Sequence, residues 1–135
     1  MPTGKTKDAG WQIGVSRTVD APLPDVWELL TSPQGLGIWL GPDATLPRAK
    51  GETYETADGI QGELRSFRRQ DRIRLTWQPA TWSYDTTVQV AVAAGGPKTM
   101  LRFHQERLAD AAERERQRSY WSSIVDRLEQ ELGQG

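Results

Sequence analysis

The chain has no cysteine and only one histidine, His104, among its 135 residues. The absence of cysteine excludes disulfides, thiolate nucleophiles and thiolate metal ligands. One histidine without cysteine is too little for a zinc site, and we predict neither a metal nor a cofactor. On the strand register that alternation predicts, His104 points outward, so we interpret it as a structural residue rather than a catalytic one.

Long apolar runs and a large net charge of either sign are also lacking. No segment approaches the ~18 apolar residues that a membrane span requires, and Met1 to Gly10 has no apolar stretch typical of a secretion signal. The formal net charge of −1 gives no basic field for nucleic acid. We therefore expect a cytoplasmic protein that neither spans a membrane nor binds nucleic acid.

Tryptophan, in contrast, is abundant: six tryptophans exceed the three tyrosines and two phenylalanines together. An indole combines a large apolar surface with one N–H, which suits an apolar wall with one polar edge. The chain length is that of one domain. We divide the chain into a flexible N-terminal segment at residues 1–10, a single domain at 11–132 and a tail at 133–135.

The first third of the chain predicts a strand followed by two short helices. Apolar residues alternate with polar ones from Trp11 to Val19, which indicates a strand with one buried face. Arg17 falls on that face and requires a bulge or a carboxylate partner, because an unpaired buried charge is costly. Two prolines predict the first turn of the first helix. Ser32 and Pro33 predict the N-cap and the first position of the second helix.

Alternation with a period of two returns at Thr53 and continues to Gln105. Asp58-Gly59 and Gly95-Gly96-Pro97 predict tight turns between successive strands. Short connections of this kind favour an antiparallel sheet.

The C-terminal segment predicts one long helix ending at Leu132. Asp110 and Glu113 have the spacing of a capping box at its start. Its apolar stripe begins only at Trp121, so we expect the first half of the helix to be exposed and the second half to pack on the sheet.

This order of elements resembles the helix-grip fold, and local motifs resemble those of the START-like (SRPBCC, birch-pollen-allergen-like) superfamily. The opening motif, Val19-Asp20-Ala21-Pro22 with Val26-Trp27, is similar to the start of that domain. The segment after it is similar at Ser32-Pro33, Leu36 and Trp39-Leu40.

Further motifs resemble one branch, named for homology to the activator of the ninety-kilodalton heat-shock chaperone's ATPase. They are Gly62-Glu63-Leu64, the segment from Asp71 to Trp77, Thr99-x-Leu101-x-Phe103, and Tyr120-Trp121 with Leu128. Two positions depart from the pattern. Gln105 stands where relatives frequently have histidine, and Tyr120 stands where glycine usually precedes the tryptophan.

The resemblance implies an α+β helix-grip fold, in which a curved antiparallel sheet wraps around the C-terminal helix. Two short helices lie between its first and second strands. It implies a cavity but no single activity, because the superfamily includes lipid carriers, hormone sensors, cyclases and chaperone partners. Our first hypothesis is that a hydrophobic or amphipathic small molecule binds between the sheet and that helix. The predicted ligand-binding residues are Trp39, Tyr54, Trp77, Trp82, Tyr84, Phe103, Trp121 and, as polar anchor, Gln105.

Two alternatives stay open, and the sequence leaves the oligomeric state undetermined. Five arginines concentrate positive charge around one turn, which fits either a docking surface for a chaperone or other acidic protein or a solvated hairpin. They are Arg65, Arg68, Arg69, Arg72 and Arg74. Glu52 shares a face with Tyr54 and lies either at a strand edge in water or in the cavity. Burial in the cavity would raise its pKa toward the range that a cyclase or hydratase uses. Because no phosphate loop, nucleotide fingerprint or nucleophile elbow is present, we assign no catalytic residue.

Overall fold

The computed structural model describes residues 5–6 and 10–134. Within these residues the chain forms seven strands and three helices, which confirms the α+β class. In chain order they are β1 (Lys5–Thr6), β2 (Gly10–Val19), α1 (Leu23–Thr31), α2 (Pro33–Trp39), β3 (Thr53–Glu55), β4 (Gln61–Arg68), β5 (Arg72–Trp77), β6 (Thr86–Gly95), β7 (Lys98–Leu108) and α3 (Ala111–Gln134).

The strands form one sheet in the order β1-β2-β7-β6-β5-β4-β3, and each neighbouring pair is antiparallel. The helix α3 packs against β2 and β7, and it also contacts α1 and α2. The apolar core therefore lies between one face of the sheet and the three helices. This arrangement confirms the predicted helix-grip fold.

The connection between α1 and α2 follows the predicted capping chemistry. The hydroxyl of Ser32 accepts a hydrogen bond from the backbone N–H of Gly35 at 3.0 Å. A Cβ at Gly35 would lie 1.7 Å from the carbonyl oxygen of Leu29, so only glycine allows α2 to start this close to α1.

Arg17 finds carboxylate partners on α3. Its guanidinium lies 2.7 Å from Asp126 and 2.9 Å from Glu129, and these hydrogen bonds raise the pKa of Arg17. The prediction of a carboxylate partner for this inward-facing cation is confirmed. The ion pairs join β2 to the second half of α3.

Several boundaries differ from those predicted. The last strand extends beyond Gln105 to Leu108, and α3 continues to Gln134 instead of ending at Leu132. The predicted flexible segment at residues 1–10 falls largely outside the described residues, but Lys5–Thr6 pairs with the start of β2. Among the residues described, no helix combines the length and apolarity needed to cross a membrane.

Candidate functional site

The centre of the space between the sheet and α3 is filled by the chain's own aromatic rings. Trp121 stacks on Phe103 with ring centroids 5.0 Å apart and an interplanar angle of 15°. Phe103 in turn contacts Trp39, with centroids 6.0 Å apart. All three side chains are fully buried. The sequence therefore brings these predicted site residues together, but as a packed core.

The polar atoms of this core are paired within the protein. Trp121 donates from its indole N–H to the side-chain oxygen of Gln105 at 2.8 Å, and the Gln105 amide donates to the Thr86 hydroxyl at 2.9 Å. The Trp39 indole donates to the Leu30 carbonyl at 2.8 Å. Gln105, predicted as a ligand anchor, thus has both its oxygen and its amide nitrogen engaged inside the core.

Tyr54 is also engaged by the protein itself. Its hydroxyl donates to the carbonyl oxygen of Thr76 at 2.6 Å, and burial raises its pKa. This bond links β3 to β5, on either side of β4.

The first half of α3 is mostly exposed, as predicted, but two of its residues are buried. Glu113 and Gln117 retain only 5% and 8% of their accessible surface. They precede Trp121 by eight and four positions, so they lie on the same inward face of the helix. Their burial was not predicted, because both residues are polar. Their helical spacing from Trp121 was the signal in the sequence that could have indicated it.

Glu113 accepts a hydrogen bond from the hydroxyl of Tyr84, which is half-buried. Its own backbone N–H is capped by the Asp110 side chain at 2.8 Å. Burial, followed by the bond to Glu113, raises the pKa of Tyr84 further above its ordinary value. The bond ties the segment between β5 and β6 to the start of α3.

Trp82 and Tyr120 contact Trp77, and Tyr84 packs on Trp82; we call Trp82, Tyr84 and Tyr120 the aromatic cover. Trp82 stacks on Tyr84 with centroids 5.4 Å apart and meets Trp77 edge-on, also at 5.4 Å. Tyr120 lies 5.8 Å from Trp77 and is 37% exposed. Together with Trp39, Trp77, Phe103 and Trp121, the cover forms one aromatic cluster. The cover is the part of this cluster that reaches the surface.

Two buried side-chain atoms have no hydrogen-bond partner among residues 5–6 and 10–134, namely Nε1 of Trp77 and the side-chain oxygen of Gln117. Trp77 is 3% exposed, and its ring centroid lies 5.9 Å from that of Trp121. Trp121 follows Gln117 by one turn of α3. An unpaired buried donor or acceptor costs about 1–3 kcal/mol each. The two atoms are thus one unsatisfied donor and one unsatisfied acceptor in the buried part of the fold.

The alternative that places Glu52 in an interior cavity is wrong, because its side chain is on the surface. Its carboxylate accepts hydrogen bonds from the backbone N–H groups of Arg48 and Ala49 at 2.9 and 2.8 Å. These bonds lower the pKa of Glu52, opposite to the direction that general acid catalysis requires. No three His, Asp or Glu side chains within residues 10–134 are grouped to hold a metal ion.

His104 lies on the outer face of the sheet, as the alternation predicts. A ring nitrogen lies 2.9 Å from the side-chain oxygen of Gln12, and burial lowers the pKa of His104. It is separate from the aromatic cluster, because Phe103 and Gln105 on either side of it point inward.

The five-arginine turn is partly neutralised. Arg65 pairs with Glu63 at 2.5 Å, and Arg74 pairs with Glu106. Arg68 approaches Asp71 only to 3.7 Å. Arg69 and Arg72 have no ion pair within the part of the chain that the structure describes.

Four depressions of about 660, 590, 630 and 540 Å³ on the described surface are open to solvent. None of these four is lined by Trp77, Phe103 or Trp121. None of these four depressions therefore reaches the buried rings behind the cover.

Several solved structures share this fold at low sequence identity. CalU16 from Micromonospora echinospora is 19% identical with a TM-score of 0.78, covering 94% of this chain and 78% of its own. PFC0360w, an HSP90 activator from Plasmodium falciparum, is 18% identical with a TM-score of 0.77, covering 92% and 97%.

DynU16, a protein of the dynemicin biosynthetic locus, is 21% identical with a TM-score of 0.78 over 90% of this chain. The chain spans about half of DynU16, which is matched over 47% of its length. Likeness at these identities shows the fold alone.

No protein of curated function matches the sequence significantly. The sequence model described as "Activator of Hsp90 ATPase homolog 1-like protein" matches residues 20–133. Because this match covers most of the chain and agrees with the observed topology, the chain belongs to the Activator of Hsp90 ATPase homolog 1-like family.

Proposed function

We propose that the chain binds an amphipathic small molecule beneath the aromatic cover, between the sheet and the first half of α3. The observation that carries the proposal is the pair of unpartnered buried atoms, Nε1 of Trp77 and the side-chain oxygen of Gln117. Within the described residues folding leaves both atoms buried without a protein partner, and a ligand with matching groups would satisfy them.

The location follows from the packing of the core. Stacked rings of Trp121 and Phe103 fill the centre, so a ligand there would have to disrupt the fold. The cover is looser, since Trp82 and Tyr84 are half-buried and Tyr120 is exposed. The predicted site residues then divide into two groups. The walls of the site are formed by Trp77, Trp82, Tyr84 and Trp121, and these are supported from behind by Trp39, Tyr54, Phe103 and Gln105.

The surroundings define the class of ligand. A flat, unsaturated body would stack between indole and phenol rings. It would carry a hydrogen-bond acceptor opposite Trp77 and a donor opposite Gln117. The Tyr84–Glu113 bond must stretch or break for the cover to open, so this bond sets how easily the ligand enters.

The relatives support this proposal only in part. DynU16 comes from a biosynthetic locus, which is compatible with a small-molecule role for the fold. PFC0360w is an HSP90 activator, which is compatible with a protein partner. Cytoplasmic location belongs to the proposal, supported by the lack of cysteine.

The test compares Gln117→Leu with Gln130→Leu, a matched change at an exposed position of α3. The probe is N-phenyl-1-naphthylamine, a neutral aryl amine whose fluorescence rises in apolar surroundings. Its N–H can donate to Gln117, so we expect Gln117→Leu to weaken binding about tenfold, as the loss of 1.4 kcal/mol does.

The same change removes a buried unpaired acceptor, so Gln117→Leu should raise the free energy of unfolding by about 1 kcal/mol. Gln130→Leu should change neither quantity appreciably. A wild-type protein that takes up no probe, or a Gln117→Leu variant that binds it equally well, would refute the proposal.

A further inference from the structure

The strand register places three arginines in one row across the outer face of the sheet. Arg68 on β4 is opposite Arg72 on β5, which is opposite Ala91 on β6. Ala91 is opposite Arg102 on β7, which is opposite Ser16 on β2. We call Arg68, Arg72 and Arg102 the arginine row, and all three are exposed.

The charge of this row is largely uncompensated. Arg72 and Arg102 form no ion pair with any residue that the structure describes, and Arg68 reaches Asp71 only at 3.7 Å. In the adjacent row, Arg74 is neutralised by Glu106. The uncompensated charge of this face is therefore concentrated on the arginine row, although the whole chain has a net charge of −1.

Small side chains keep the surface around the row flat. Ala91 lies between Arg72 and Arg102 in the row, and Ser16 continues it on β2. The guanidinium of Arg102 lies over Gly14, where a Cβ would be 3.0 Å from its Nη2 atom. Nothing large separates the guanidinium groups from an extended chain laid across the strands.

We propose that the arginine row binds an extended acidic segment of a protein partner, a function separate from small-molecule binding beneath the aromatic cover. Strands are ~4.8 Å apart, so the row spans about 14 Å from β4 to β7. An extended peptide advances ~3.3 Å per residue, so alternate acidic side chains lie about 7 Å apart and three of them cover this distance. Guanidinium groups pair with carboxylates through two parallel hydrogen bonds.

An acidic protein segment fits this face better than nucleic acid or an anionic membrane. Sequence-independent nucleic-acid binding commonly uses about 6–10 phosphate contacts, and membrane-binding clusters contain about 4–8 basic residues. Three arginines on a chain with a net charge of −1 fall short of both.

The row also differs from the five-arginine turn that the sequence singles out. Arg65 and Arg74 of the turn are paired with acids, and Arg102 of the row lies 30 positions beyond Arg72. Arg69 belongs to the turn but not to the row. Substitution of Arg69 therefore distinguishes the two surfaces.

The test is an NMR titration of the ¹⁵N-labelled full chain with a synthetic peptide in which glutamate alternates with threonine, in about 20 mM salt to limit screening. We expect Arg72→Gln and Arg102→Gln each to weaken binding about five- to tenfold. Arg69→Gln and Arg127→Gln, matched losses of an exposed arginine at the turn and on α3, should each change it less than about twofold. Shifted amides should lie on β5, β6 and β7.

Failure of the wild-type protein to bind the peptide would overturn the proposal, as would equal losses for Arg72→Gln and Arg127→Gln. A larger effect of Arg69→Gln than of Arg102→Gln would assign binding to the turn instead. Tighter binding of a thymidine oligonucleotide or of phosphatidylserine vesicles than of the peptide would also overturn it. Probe binding beneath the aromatic cover should be unchanged in all four variants.

Discussion

The indole N–H of Trp121 on α3 donates to the side-chain oxygen of Gln105 on β7 at 2.8 Å, and both residues are fully buried. This bond joins the long helix to the interior of the sheet. It lies next to Trp77, whose own indole N–H has no partner among the residues that the structure describes. One buried indole thus holds the fold together, and its neighbour is the one to which we assign the proposed ligand.

Gln105→Leu should lower the free energy of unfolding by about 1–3 kcal/mol, because it leaves the Trp121 N–H buried and unpaired. Urea unfolding measures the change. In the double variant with Trp121→Phe, the combined loss should be smaller than the sum of the single losses, because both changes remove the same bond. Strict additivity would show that this bond contributes nothing.

Arg17→Met should destabilise the protein by about 0.5–1 kcal/mol, because both acidic partners are substantially exposed and screened. The methionine retains the packing of the arginine stem. The difference from wild type should shrink in about 1 M salt, where exposed ion pairs are screened. A loss of the same size at low and high salt would indicate packing rather than charge.

His104 should make stability depend on pH in one direction. Burial lowers its pKa in the folded state, so the unfolded chain binds more protons at and just below the ordinary value of 6.5. Its contribution is therefore fully present above that value and is lost as the pH falls through it toward the folded pKa. Urea unfolding of wild type and His104→Gln at about pH 7.5 and 5.5 measures this. The variant should lose less stability on acidification, and an equal or greater loss would contradict the assignment.

Tyr84→Phe should destabilise the segment between β5 and β6, because it removes a hydrogen bond to the buried carboxylate of Glu113. Bonds to charged groups contribute about 1.5–3 kcal/mol. Amide exchange around Trp82 should become faster and the probe should enter more rapidly. Tyr120→Phe, which deletes the hydroxyl of an exposed tyrosine, is the matched control and should change neither rate. Equal exchange in the two variants would show that the bond does not hold the cover closed.

Local sequence patterns predicted the elements and two specific interactions well. The hydroxyl cap at Ser32 was predictable because Ser32 directly precedes the proline that starts α2. The carboxylate partners of Arg17 were predictable because a charged residue on the buried face of a strand requires them. Strand ends were less accurate: β7 extends to Leu108, since Glu106 pairs with Thr87 on β6 and Leu108 pairs with Trp11 on β2.

The features that carry the two proposals depend on contacts between distant parts of the chain. Glu113 and Gln117 looked solvent-exposed by type, and only the docking of α3 shows that they face inward. Arg72 and Arg102 align through β6, a register that composition does not reveal. For Glu52 the error has the opposite direction. Its shared face with Tyr54 suggested an interior position, but Tyr54 is buried and Glu52 is exposed.

The most direct test of the account follows the indole ¹⁵N–¹H resonances of the six tryptophans during titration with N-phenyl-1-naphthylamine. Ligand beneath the aromatic cover should shift the Trp77 and Trp82 signals and leave that of Trp39, which is bonded to Leu30, in place. If Trp39 shifts most, or if Trp77 does not move at saturating probe, the proposed binding site is contradicted.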